Sequence, residues 1–204
     1  MRAIICGIAL TLTAMPAQAV VTFFTDEAAF DTATSGLLFT TDDFSTDVAP
    51  ADQITFASGV ISLNQGGVVR IFEDNSIEGG VYNNAVDGDG GDGGLSILWT
   101  FPEPVTAVGF QYFDLTENDV NVSVDGSVRA LREGGDPTDG FFGFTTTTPV
   151  TEIIFDTFDV QDADVFDFDD LQFAGEAQVV PLPGALPLLL AGLAGLAVVR
   201  QRRR

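Results

Sequence analysis

All 30 acidic residues of this 204-residue chain lie between Asp26 and Glu176, and the stretches beyond them are apolar runs with arginine at their outer ends. A chain that sorts its charge this way cannot be one uniform globule. The middle must face water, and the two ends must be segments with a different solvent. Inside the acidic interval the only basic residues are Arg70, Arg129 and Arg132, so the body carries −27, against −22 for the whole chain. The mean hydropathy is nevertheless +0.27, which only the apolar ends and a well-filled interior can supply.

That charge excludes several classes of function. A body at −27 repels phosphate backbones, so no nucleic-acid partner is expected. There is no histidine, hence no Ser-His or Cys-His nucleophile and no imidazole metal site. There is no lysine, hence no Schiff base and no phosphate-loop lysine. The single cysteine, Cys6, falls in the N-terminal apolar run, so the body has neither thiol chemistry nor a disulfide. Carboxylate chemistry, hard-cation binding or a purely structural role remain.

The N-terminus, residues 1–19, has a positive start at Arg2, an apolar stretch from Ala3 to Ala14, and a small-x-small site at Ala17-Gln18-Ala19. This pattern predicts a secretory signal peptide cut before Val20. At the other end, residues 177–204 contain 23 uncharged residues from Ala177 to Val199, followed by Arg200, Arg202, Arg203 and Arg204. A helix needs roughly 20 residues to cross a hydrocarbon core. Pro183 and Pro187 push its start towards Gly184, so residues 184–199 are the expected membrane span. The arginine cluster is expected to stay cytoplasmic as a stop. Both ends agree on one topology, with the body exported and the arginine tail inside.

Val180-Pro181-Leu182-Pro183-Gly184-Ala185, the apolar run and the terminal arginines together resemble the VPLPA-type variant of the PEP-CTERM sorting signal, with Gly184 where alanine is usual. The resemblance implies export across the inner membrane of a Gram-negative bacterium. It implies recognition of Val180, Pro181, Leu182 and Pro183 by an exosortase-like processing enzyme, after signal peptidase has acted at the N-terminus. The membrane anchor is then transient, and the protein ends at the cell surface or outside it, in association with exopolysaccharide and biofilm.

The body, residues 20–176, is expected to be one mainly β domain. Thr25, Asp26 and Glu27 suit the cap and first turn of one short N-terminal helix that Gly36 ends. Beyond it, short runs of β-branched and aromatic residues predict strands over Leu37–Phe44, Ile54–Ala57, Val60–Leu63, Val68–Phe72, Leu95–Phe101, Val105–Phe113, Val120–Val124, Val128–Leu131, Phe141–Thr145, Val150–Phe155 and Val165–Phe173. No helical periodicity intervenes. The expectation is an antiparallel two-sheet β-sandwich of jelly-roll type, with 18 phenylalanines to fill its core. Phe-Thr-Asp-x-x-x-Phe at Phe24–Phe30, Asp43-Phe44, Pro104–Phe110, Phe141-Phe142-Gly143 and Asp169–Phe173 are similar to sandwich domains of PEP-CTERM proteins, which implies a fold and no reaction.

Three groups of acids are candidate cation ligands. Asp169 shares strand parity with Leu171 and Phe173, which are expected to face the core, and a carboxylate there needs hydrogen bonds or a cation. The jelly-roll resemblance implies a structural Ca²⁺ held by Asp169 with Asp42 or Asp43. Capping of backbone amides, or a bulge that turns Asp169 outward, are the alternatives. Asp87, Asp89 and Asp92 sit in a glycine-rich loop that either wraps a cation or is a plain acidic hairpin. Asp156, Asp159, Asp162, Asp164 and Asp167 are expected as a solvated loop leading into the last strand, with an ion site shared with Asp169 as the alternative. The functional expectation is a non-enzymatic envelope or matrix protein, whose acidic surface either serves solubility in salty surroundings or lets Ca²⁺ or Mg²⁺ bridge it to anionic polysaccharide. The alternative is a carbohydrate-binding module using Trp99, Tyr82 or Tyr112. A glycoside hydrolase would need a carboxylate pair ~5–9 Å apart, which thirty acids make undiagnostic.

Overall fold

The computed structural model describes residues 20–65, 75–87, 96–115, 120–132, 138–157 and 163–175. Its elements run β1 Val21–Phe24, α1 Glu27–Ala33, β2 Thr40–Asp42, β3 Gln53–Thr55, β4 Ile61–Gln65, β5 Ser76–Glu78, β6 Val81–Asp87, β7 Ser96–Phe113, β8 Val120–Val124, β9 Ser127–Ala130, β10 Gly140–Thr157 and β11 Ala163–Ala174. The described residues are mainly β, as expected, with one helix among them. All eleven strands are antiparallel and belong to one hydrogen-bonded sheet, whose main path is β5-β6-β11-β7-β10-β8-β9.

The continuity comes from β7 and β10. Prolines 102, 104 and 149 suggest breaks that divide each of these strands in two, because proline cannot donate to a ladder. Each is instead one bent strand of 18 residues. Thr145 pairs with Ala107, Val150 with Val105 and Glu152 with Thr100. Four residues of β10 are therefore looped against one of β7, and next to them four of β7 against one of β10. The three prolines fall in those loops, where no ladder donor is lost. Before the bend β7 pairs with β4, and after it with β11. The sheet thus folds over on itself, and the two halves face each other.

Between the halves lies an aromatic core. Trp99, Tyr82, Phe110, Phe155, Phe166 and Phe168 are fully or almost fully withdrawn from water. Trp99 meets Phe155 at 4.8 Å and Phe168 at 5.6 Å between ring centroids, edge to face in both cases, a geometry that the ring quadrupoles favour. Each ring removes roughly 150–250 Å² from water, on the order of 5 kcal/mol of transfer free energy before ordering costs. That scale explains how a chain without disulfides holds a domain at this charge.

Helix α1 covers part of the sheet's outer surface. Asp26, rather than Thr25, is its N-cap, accepting from Ala29 N at 2.8 Å. Its one buried residue, Phe30, lies with Phe141, Ala107 and Ala174 in a second, smaller core. Gly109 and Gly143 are cross-strand partners beneath it. A Cβ on Gly143 would stand 2.8 Å from Phe30, so the glycine pair forms the floor on which α1 sits. The β5–β6 hairpin, turned by Gly79 and Gly80 at positive φ, is absent from the sequence expectation. The expected strand Val68–Phe72 lies outside the described residues.

Candidate functional site

Asp169 sits at a register break. β11 pairs with β7 through Asp169↔Gln111 and then Gln172↔Gly109, so Asp170 and Leu171 together oppose Phe110: the extra residue is Asp170, inserted just after Asp169 and held at φ 51°. Phe166 and Phe168 face the core before the bulge, and Leu171 and Phe173 after it. The extra residue flips the alternation and sets Asp169 on the outer face, half-buried, so the core-facing expectation gives way to its alternative, a bulge that turns the carboxylate outward. Its carboxylate accepts the Asp170 amide at 2.7 Å. Burial raises its pKa above the usual carboxylate value, and the Asp170 and Asp43 carboxylates push it further up.

Asp43 and Asp169 are within electrostatic range of each other, because β2 pairs with β11 through Asp42↔Leu171. Asp43 is exposed and accepts the Ser45 amide at 3.2 Å, and its hydrogen bonds with Ser45 hold its pKa below the ordinary value. The buried carboxylate of this region is its neighbour Asp42, only 4 % exposed. Its Oδ1 accepts from Phe44 N at 3.1 Å and its Oδ2 from Ser58 N at 2.7 Å. Asp42 thereby ties the chain after β2 to the β3–β4 hairpin and supports Phe44 at φ 47°. Its alternation partner Phe44, also buried, is the sequence signal for this, since Asp42 and Phe44 share one parity.

Among the described residues no group of three or more carboxylates is gathered closely enough to hold a metal ion. Asp89 and Asp92 lie outside the described residues; Asp87 ends β6, paired with Ala163. Asp156 and Asp167 are not loop residues, as the acidic run suggests. They belong to β10 and β11, are half-buried, and have pKa values raised by that burial, with a further push on Asp167 from Asp114.

At the N-terminal junction, Val20 N donates to Thr147 Oγ1 at 3.0 Å and Thr147 N donates to the Val20 carbonyl at 3.2 Å. Ala17 and Ala19, the motif at Val180, Pro181, Leu182 and Pro183, the span 184–199 and Arg200, Arg202, Arg203 and Arg204 lie outside the described residues. Among the described residues no helix is long and apolar enough to cross a membrane.

The three rings proposed as sugar platforms are in the core, where Trp99 and Tyr82 are fully buried and Tyr112 is 4 % exposed. None can stack on a glycan. Tyr82 instead anchors a buried polar cluster: its hydroxyl lies 2.9 Å from Ser62 Oγ and accepts from the Asn84 amide, which also donates to Asn64 Oδ1 at 2.9 Å. Burial pushes the phenol pKa up to about 12.

Among the described residues, two further surfaces stand out. An open groove of about 900 Å³ lies at the bend of β7 and β10, with Pro104, Pro149, Val150 and Ile154 as apolar lining and Asp125 and Glu152 as its acids. On the outer face beside α1, register places Asn83, Asp167 and Phe113 in one row across β6, β11 and β7, and Asp169 beside Gln111 in the next. Both surfaces can accept hydrogen bonds and attract cations. Comparison with protein-family models, curated proteins and solved structures gave no match.

Proposed function

We propose that this protein is an exported, non-enzymatic component of the cell envelope or extracellular matrix, delivered through a PEP-CTERM-type tail. The observation that carries the reading is the tripartite tail, Val180–Pro183 then an uncharged run then Arg200–Arg204, opposite an N-terminal export signal. Supporting it, the first strand starts at Val21, one residue past the predicted cut. Cleavage before Val20 would turn its amide into an α-ammonium group that can still donate to Thr147 Oγ1. The folded-over sheet is compatible with a jelly-roll-like sandwich in which β7 and β10 serve both layers.

A structural Ca²⁺ needs about six to eight oxygens. The carboxylates of Asp43 and Asp169 are already engaged by backbone amides, so the reading does not depend on a metal. The test is intact-mass analysis of the protein recovered from its own cells. A product beginning at Val20 and lacking Arg200–Arg204 is expected. A cytosolic product that retains both Met1 and Arg204 refutes export and sorting together.

A further inference from the structure

Most of the large apolar side chains among the described residues are inside; Phe113 is one of four that are exposed, at 37 %. It does not stand alone. Asp167 is its direct partner on β11, and Asn83 is the partner of Asp167 on β6. Partners in an antiparallel register point to the same face, so amide, carboxylate and ring form a row about 10 Å long across three strands. One row away, Asp169 faces Gln111, whose amide plane is fixed by donation to Glu27 Oε2 at 3.0 Å. Helix α1 covers the neighbouring part of this face and stops short of the row, because its buried contact, Phe30, lies over Gly109 and Gly143.

The charge of the platform chooses its occupant. Asp167 and Asp169 lie in adjacent rows, and Asp114 repels Asp167. Of the two described arginines, Arg132 donates to the Leu115 carbonyl at 2.9 Å and Arg129 belongs to β9. A uronate or sulfated chain would meet repulsion here. A cation would relieve the strain of two half-buried carboxylates held close to like charges. An apolar ring with the Asp167 carboxylate across from it on β11 and the Gln111 amide two residues before it on β7 offers, in addition, a stacking surface and directional hydrogen bonds. These are the needs of a ring-shaped ligand with one C–H face, several hydroxyls and a positive charge.

We propose that this outer face binds a polysaccharide carrying protonated amino groups, with Phe113 stacking on a sugar ring and Asp167 and Asp169 receiving the ammonium groups. The inference goes beyond export and does not rest on it. It reverses the sign of the polysaccharide expected from composition alone.

Calorimetry on the full chain in mild detergent tests it, with a glucosamine hexamer, its N-acetylated counterpart, a uronate hexamer and spermine as probes. The glucosamine hexamer is expected to bind, with affinity at least tenfold higher than that of the N-acetylated and uronate hexamers. Phe113→Ala and Asp167→Asn should each weaken it about tenfold while Trp99 emission stays unchanged. Asp167→Asn is isosteric and on the outer face, so it keeps the test open if Phe113→Ala misfolds. Absence of glucosamine-hexamer binding overturns the proposal. So does binding that survives both substitutions, which would be nonspecific attraction to an acidic body. Spermine binding with the same dependence on Phe113 overturns the sugar as occupant.

Discussion

Trp99 and Phe110 are eleven residues apart on one strand, yet their ring centroids are 5.8 Å apart. An extended strand of that length spans ~36 Å. The contact exists only because β7 turns back at Phe101–Pro104, so that one strand supplies side chains to both walls of the core. Trp99 is the single tryptophan of the chain and is fully buried. Its emission should be blue-shifted in the native state and shift red in one step on unfolding. Trp99→Ala should cost about 3–5 kcal/mol, read as a lower urea midpoint. Red-shifted emission from the native protein would show that the halves do not close on each other.

The glycine floor under α1 makes a second prediction. Neither Gly109 nor Gly143 has positive φ, so alanine is tolerated by the backbone and opposed only by packing. At Gly143 the added methyl meets Phe30 at 2.8 Å and Phe141 at 2.9 Å. Both rings belong to the small outer core, which has few other members to shift. Gly143→Ala should destabilise by about 1–3 kcal/mol, and Phe30→Ala in the same chain should remove most of that penalty, as measured by a double-mutant cycle. Additive effects would mean that Phe30 does not rest on the glycine pair.

What the sequence disclosed and what it hid divide along a physical line. Turn residues and short alternation located β8, β9, β11 and the helix, because those signals are local. Proline suggested breaks in β7 and β10, because a missing donor looks the same in a loop and in a bulge. The bulge at Asp170-Leu171 could be offered only as an alternative to a core-facing Asp169, because parity is countable only if no residue is inserted. The candidate acids were legible as acids, but which of them is buried depends on where two distant strands meet. Asp42 pairs with Leu171 across 129 positions of chain, and no local pattern announces that.

Asp42 itself is a test of how the loop after β2 is held. Both carboxylate oxygens accept backbone amides, from Phe44 and Ser58. Removing the carboxylate leaves two donors without that partner in a largely water-free setting. Asp42→Ala should cost about 2–4 kcal/mol. Asp42→Asn keeps one acceptor and places an NH₂ against an N–H, so it should cost less than alanine but more than 1 kcal/mol. Amide exchange at Phe44 and Ser58 should accelerate in both variants. Unchanged exchange would assign these amides to other acceptors.

The half-buried carboxylates of Asp156, Asp167 and Asp169 set an unusual dependence on pH. Burial raises all three pKa values above 3.8, with like charges adding for Asp167 and Asp169. In the window between 3.8 and the raised values the native state holds more protons than the unfolded chain. Stability must therefore fall as pH climbs through that window and stay level above it. Asp43 acts in the opposite sense, since its folded pKa is lowered; its contribution is present above 3.8 and is lost only as pH falls below that value. Relief of self-repulsion in a body at −27 works in the same direction as the three raised groups. The thermal midpoint should accordingly be higher at about pH 4.5 than at pH 7.5, and added salt should narrow the difference. Asp167→Asn should flatten the profile and add up to about 0.5 kcal/mol at neutral pH, after allowance for solvent screening of a half-exposed group. A midpoint that falls steadily from pH 7.5 to 4.5 would mean that ionised carboxylates stabilise the native sheet more than these three burden it.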